Sequence, residues 1–277
     1  MPSLLAPRRI LSPFALAAVL AVGVAGPAQV VASDPAPSAS AISAAESAMV
    51  VALNKDRTAV GLVPVRVDPR LMAIARARSA DMVANNYFSH TQPDGRNVFD
   101  ILTAQGITWY SAGEIIAWNT WGMDGTTNAA NQQWMGSSSH KAIIVSTGFN
   151  YVGVGLAVDA TGKKLWTAVF MKGPDRTGAR AAQAAPKLSA GPTADTRHAR
   201  ITWTGADVRL QVLTAGLRSF IVERRIDGVV WKTIWSSTTI TAATFTVNLG
   251  HRYEFRVTAV DNRGNRGAGV ITVVDLR

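Results

Sequence analysis

Apolar residues recur at helical spacing from Met49 through Ala52 and Leu53 to Val60, with Gly61 as a stop, which predicts a helix over residues 45–60. A second pattern starts more sharply. Asp68 can cap free backbone N–H groups, Pro69 fits the first helical position, and Leu71, Ile74, Ala75, Arg78 and Met82 continue to about Asn86. A third helix is expected from Val98 to Gln105, ended by Gly106, and a short one around residues 128–135. The period then changes. GEIIAW (113–118) is compact and β-branched, and YVGVGLAV (151–158) and KLWTAVFM (164–171) alternate about the turn DATG (159–162), a hairpin signature. Residues 45–172 therefore read as a mixed domain, helices first and antiparallel strands later. From Gly191 onward only strand patterns follow: 199–203, 220–226, 229–235, 243–249, 253–260 and 270–274, separated by turns such as DNRGNRG (261–267). Short strands at this density suggest an antiparallel sandwich over 191–277.

The segments between these regions differ in composition. Arg8 and Arg9 precede an uncharged apolar run over residues 10–25, and small residues follow with possible cleavage after Ala28 or Ala32. This is the layout of a secretory signal peptide over residues 1–32 and implies export. The run is about 16 residues, short of the roughly 20 of a comfortable bilayer span, so no stable membrane span is expected. Ala/Ser/Pro-rich residues 33–44 and Gly/Ala/Pro-rich residues 173–190 read as linkers.

The chain has 277 residues, 48% of them hydrophobic, and no cysteine. Disulfides, thiol catalysis and thiolate metal sites are thereby excluded, and core burial alone must hold the fold. Charge is uneven. Residues 44–172 carry 11 Lys/Arg against 9 Asp/Glu, whereas residues 173–277 carry 15 against 8. The basic second half suits anionic polymers of a cell envelope or wall. No nucleic-acid motif accompanies it, and no nucleic-acid partner is expected.

Candidate chemistry is confined to the first half. His90 lies in NNYFSHTQPDG (85–95), where the second helix should give way to a turn. The other histidine of that half is His140 in SSSHKAII, and Glu114 stands between them in AGEIIAW. Two imidazoles and a carboxylate can bind a divalent cation, most plausibly zinc, or form a proton-transfer group. Spacing alone specifies neither. No HExxH motif or nucleophile elbow is present.

The blocks 53–82, YFSHTQPDG (87–95), AGEIIA (112–117), QQWMGSSSHKAII (132–144), FNYVGVG (149–155) and WTAVF (166–170) resemble, in order and spacing, the bacterial secreted branch of the CAP superfamily. That group comprises cysteine-rich secretory proteins, antigen five and plant pathogenesis-related one proteins. The resemblance implies an α+β fold overall, a CAP-type α/β/α sandwich whose cleft holds His90, His140 and Glu114. The family's second acid falls at Ser137 here, and its common Asn after the glutamate is Ile115, which puts strong zinc binding in doubt. Family members have been linked to sterol or lipid binding. Trp109, Tyr110, Trp118 and Trp121 could line an apolar ligand groove near the cleft, while Trp134 reads as core and Asn54 and Arg57 as structural hydrogen-bonders.

ITW (201–203), FIVERRIDG (220–228) and LGHRYEFRVTAVDNRGNRG (249–267) resemble a fibronectin type III domain. That implies a tyrosine corner at Tyr253, bonding back near Leu249, and Trp203 in the sheet interior. The leading expectation is a secreted, non-enzymatic CAP-domain protein. Its cleft would bind a divalent metal at His90 and His140, or a small or lipid ligand, and its basic sandwich would tether it to anionic envelope polymers. One alternative is a zinc-dependent hydrolase with Glu114 as catalytic base. Another is an adhesin that uses the CAP domain as scaffold.

Overall fold

The computed structural model describes residues 37–277. The expected signal peptide lies outside the described residues, and among those described no helix is long and apolar enough to cross a membrane. Residues 36–277 form one compact unit.

The first domain builds three layers. Helix α1 (Ala39–Ala59) begins earlier than its apolar spacing suggested, because Ser38 Oγ accepts from Ala41 N at 3.2 Å and caps it. The expected linker 33–44 therefore ends inside a helix. Strand β1 (Arg66–Val67) is followed by α2 (Pro69–Ala84), capped by Asp68 as expected. Next come α3 (Val98–Ala104), β2 (Ser111–Asn119), α4 (Thr126–Gly136), α5 (Ser138–Ile144), β3 (Tyr151–Val158) and β4 (Lys164–Lys172). The sheet order is β1-β3-β4-β2, so β2 is an edge strand. Side chains alternate across it. Ile115, Ala117, Val152, Val154, Trp166 and Phe170 pack on α1, α4 and α5 through Met49, Leu53, Trp134 and Ile144. The opposite face meets α2 and α3 through Leu71, Ile74, Ala75 and Leu102.

The glycines of YVGVG set how close α2 lies. A Cβ on Gly153 would stand 2.0 Å from the Leu71 carbonyl carbon, and one on Gly155 2.2 Å from that of Ala75. Any side chain there would lift α2, together with the residues it carries, off the sheet.

The second domain contains β5 (Arg180–Gln183), β6 (Lys187–Ala190), β7 (Thr196–Ala206), β8 (Leu217–Ile226), β9 (Lys232–Thr238), β10 (Ala242–Asn248), β11 (Arg252–Asp261) and β12 (Val270–Asp275). One sheet runs β12-β11-β8-β9. The other runs β10-β7-β5, with β6 also pairing β7. Trp203, Ile201 and Val247 from one sheet meet Phe220, Val222, Phe255 and Val257 from the other in one core, making an all-β sandwich. The Tyr253 hydroxyl accepts from Asn248 N at 3.0 Å, one residue before the expected position. His198 and His251 are strand and turn residues, the latter bonded to Asp227 at 2.6 Å.

Residues 173–190 are not the linker their composition suggested. Arg180–Gln183 pair with Trp203–Ala206 and Lys187–Ala190 with Arg197–Arg200, two halves of one edge interrupted around Pro186. Proline has no N–H to give a ladder, and alanine-rich edge strands leave no alternating signature to read. The junction is also closed. Asn150 Nδ2 donates to Gly173 O at 2.8 Å and Val212 O at 3.2 Å, Val63 N donates to Gln211 Oε1 at 2.7 Å, and Leu210 enters the α2-side core of the first domain.

Candidate functional site: the edge cleft

Glu114 lies on edge strand β2, on the face covered by α2, and its side chain is 3% exposed. A buried carboxylate needs compensation, and Arg78 of α2 supplies it. Arg78 Nε donates to Glu114 Oε1 at 2.9 Å. The same guanidinium donates to the Tyr87 hydroxyl at 2.7 Å and to Ser89 O at 2.8 Å, so it also fixes the turn after α2. Burial alone would lower the Arg78 pKa. The hydrogen bond and charge of Glu114 offset this and leave it above the ordinary arginine value.

That turn brings His90 to the other carboxylate oxygen. His90 Nδ1 lies 2.7 Å from Glu114 Oε2. A carboxylate only accepts, so Nδ1 is the donor, and Nε2 is the nitrogen left without a partner on a half-exposed ring. Asp81 anchors the turn from below. Its carboxylate accepts from the Tyr87 hydroxyl, from Gln92 Nε2 at 2.9 Å and from Asn85 Nδ2 at 2.8 Å. Burial first, and the Asp81 carboxylate second, push the Tyr87 hydroxyl up to about 12, so it stays a donor.

His140 reaches the cleft from the opposite layer, on α5. It lines a cavity of about 480 Å³ with Phe88, Ile116, Trp118, Trp121 and Ser137. Burial, and after it the His90 charge, hold its pKa below the ordinary 6.5, so the ring is neutral at pH 7. Ser137 takes the N-cap position of α5 without a side-chain cap bond; its hydroxyl meets that of Ser139 at 3.1 Å instead.

His90 and Glu114 thus meet directly, and His140 joins them around the edge of β2. The three do not gather their ligand atoms into a closed metal site. Among the described residues the group that brings three such atoms within 4.8 Å is Asp175, Asp207 and Asp261, at the junction of the two domains. Those carboxylates already accept N–H groups from Thr177, Ala215, Val208, Gly216, Arg263 and Asn265, and they tie loops together. Trp134 is fully buried, as expected of core, whereas Trp121 is 64% and Trp118 45% exposed. Arg57 is fully buried and donates to Val63 O, Ile144 O and Ser146 O, a structural role. Arg78 is the residue that sequence reasoning passed over. Its signal was an arginine on the apolar stripe of α2.

A model of the CAP family, described as the cysteine-rich secretory protein family, matches residues 50–170. Residues 50–170 belong to the CAP family. The chain is similar to the uncharacterized protein YkwD of Bacillus subtilis (strain 168), with 34% identity over 132 residues, covering 48% of this chain and 49% of that protein. It is 33% identical over 119 residues to the uncharacterized membrane protein YlbC of the same strain, covering 43% and 32%. The chain therefore spans half or less of the curated relatives it matches. Among solved structures, an extracellular protein containing an SCP domain from Bacillus anthracis str. Ames is 25% identical, with TM-score 0.42, covering 50% of this chain and 45% of that one. An outer surface protein from Borrelia burgdorferi is 18% identical, with TM-score 0.42, covering 47% and 93%.

Proposed function

We propose that this chain is an exported, non-catalytic binding protein. Its CAP cleft takes a small, largely apolar ligand, and its basic sandwich holds it to anionic envelope polymers. The state of Glu114 carries the first part. Both carboxylate oxygens are engaged, one by Arg78 and one by His90, and the side chain is buried, so it is not free to act as a base toward a bound water. Further along β2 a cavity opens with Phe88, Trp118 and Trp121 around the neutral His140, and Asn119, Gln133 and Ser137 complete its wall. Zinc sites take at least three protein ligands, and here Glu114 is already committed to Arg78 and His90, leaving two imidazoles. A divalent ion enters the reading only as a weakly held guest of His90 and His140. Export rests on the charged, apolar and small-residue succession in residues 1–32, and tethering on the excess of Lys/Arg in residues 173–277.

Native mass spectrometry of the purified protein tests the cleft. The expected result is a small-molecule adduct that disappears in Trp118→Ala/Trp121→Ala. A zinc adduct lost in His90→Ala and in His140→Ala would replace the apolar-ligand reading with the metal one. A bare polypeptide mass in every sample would remove ligand binding altogether.

A further inference from the structure

A second concavity, of about 800 Å³, lies where β1 and the start of α2 meet the connection to the sandwich. Four arginines line it: Arg66 and Arg70 from the CAP domain, Arg176 from the connection and Arg209 from the loop between β7 and β8. The acid in its lining is Asp68, and Arg70 takes that carboxylate in a two-pronged pair, Nε to Oδ1 at 3.0 Å and Nη2 to Oδ2 at 2.5 Å. Asp175, next to Arg176 in the chain, turns its carboxylate to the amides of Thr177 and Ala215. Among the described residues no carboxylate pairs with Arg66, Arg176 or Arg209, and their guanidinium groups make no hydrogen bond. Arg176 and Arg209 are exposed, and the Nε of Arg66 is buried without a partner. Three guanidinium groups without a carboxylate of their own around one concavity make it a positively charged site suited to an anion.

We propose that this groove binds a ligand carrying two or more phosphate groups, as in a stretch of polyphosphate or phosphodiester chain. Guanidinium forks match the geometry of phosphate oxygens, and forks from three separate segments around a cavity of about 800 Å³ leave room for more than one phosphate. The groove is made by both domains, which gives their closed junction a use. The inference deepens the anion-binding part of the proposed function, on which it rests, by placing recognition in one site instead of over a basic face.

Isothermal titration of the full chain with tripolyphosphate, with a glycerol phosphate oligomer and with polyglutamate tests it. Both phosphate probes should bind and polyglutamate should not. Arg176→Gln/Arg209→Gln should lower phosphate affinity about tenfold or more, and Arg176→Lys/Arg209→Lys should recover part of it. Arg218→Gln/Lys232→Gln removes the same charge from exposed positions outside the groove and should change affinity little. Equal loss in both glutamine pairs would overturn the groove while leaving a diffuse basic tether standing. Equal binding of polyglutamate would overturn the phosphate class. No binding of any probe at low salt would remove the groove and the tether together.

Discussion

In the edge cleft the carboxylates are answered inside the protein: Glu114 by Arg78 and His90, and Asp81 by Tyr87, Gln92 and Asn85. In the interdomain groove the exposed Arg176 and Arg209 and the half-buried Arg66 form no ion pair among the described residues. Both regions are concave and both contain arginine, yet the arginine of the first is fully paired and three of the four in the second are not. The difference separates their chemistry. A cleft that has settled its own charges and shows aromatic rings selects by shape and apolar contact, whereas a groove with unpaired cations selects by charge.

The contrast is broken most directly at Arg78. Arg78→Met keeps bulk but leaves a buried carboxylate against His90 alone, and it should cost about 3–5 kcal/mol of unfolding free energy in a denaturant titration. Arg78→Met/Glu114→Gln should regain part of that loss, since a pair removed together leaves no orphan charge. A loss of less than about 1 kcal/mol for Arg78→Met would mean that the cleft is not anchored by this pair.

The exposed pairs of the sandwich supply the comparison. Arg256 meets Glu223 with Nε to Oε2 at 2.7 Å, but both side chains remain open to water, at 32% and 18% exposure. Glu223→Gln should cost under about 1 kcal/mol in the same titration, because a solvated pair gains little over its separated ions. Similar costs for Arg78→Met and Glu223→Gln would erase the distinction between buried and surface charge.

The smallest effect is read at His140. In the folded protein it holds its proton less firmly than in the unfolded chain, whose ordinary value is 6.5. Above that value both states are neutral and the residue contributes nothing to pH dependence. As pH falls from 6.5 through the lower folded value, the unfolded chain takes up its proton first, and stability is lost. An NMR titration should place the His140 midpoint below 6.5, and His90→Ala should move it upward by removing the lesser of its two causes. An unmoved midpoint would separate the two histidines.

Much of this was legible from residue order. The Asp68-Pro69 start of α2, the hairpin of β3 and β4 and the strand series after Gly191 follow from local rules of capping and alternation, whereas a cleft shared by Glu114, His90 and His140 was implied by the family resemblance and not by their spacing. Residues 173–190 were misread because their edge pairing with β7 carries no hydrophobic period of its own. Arg78 stood in plain view as an interruption of an apolar stripe, but its partners lie 9 to 36 residues away, in the turn after α2 and on β2. The sequence by itself determined which elements form and which side chains are able to do chemistry, because propensity, capping and periodicity act over a few neighbouring residues. Tertiary structure alone decided which charges are satisfied. Two glycines let α2 down onto the sheet and bring Arg78 to Glu114, and the closed junction gathers four arginines from both domains around one groove. Burial and electrostatic pairing depend on distance in space, and chain separation says nothing of it.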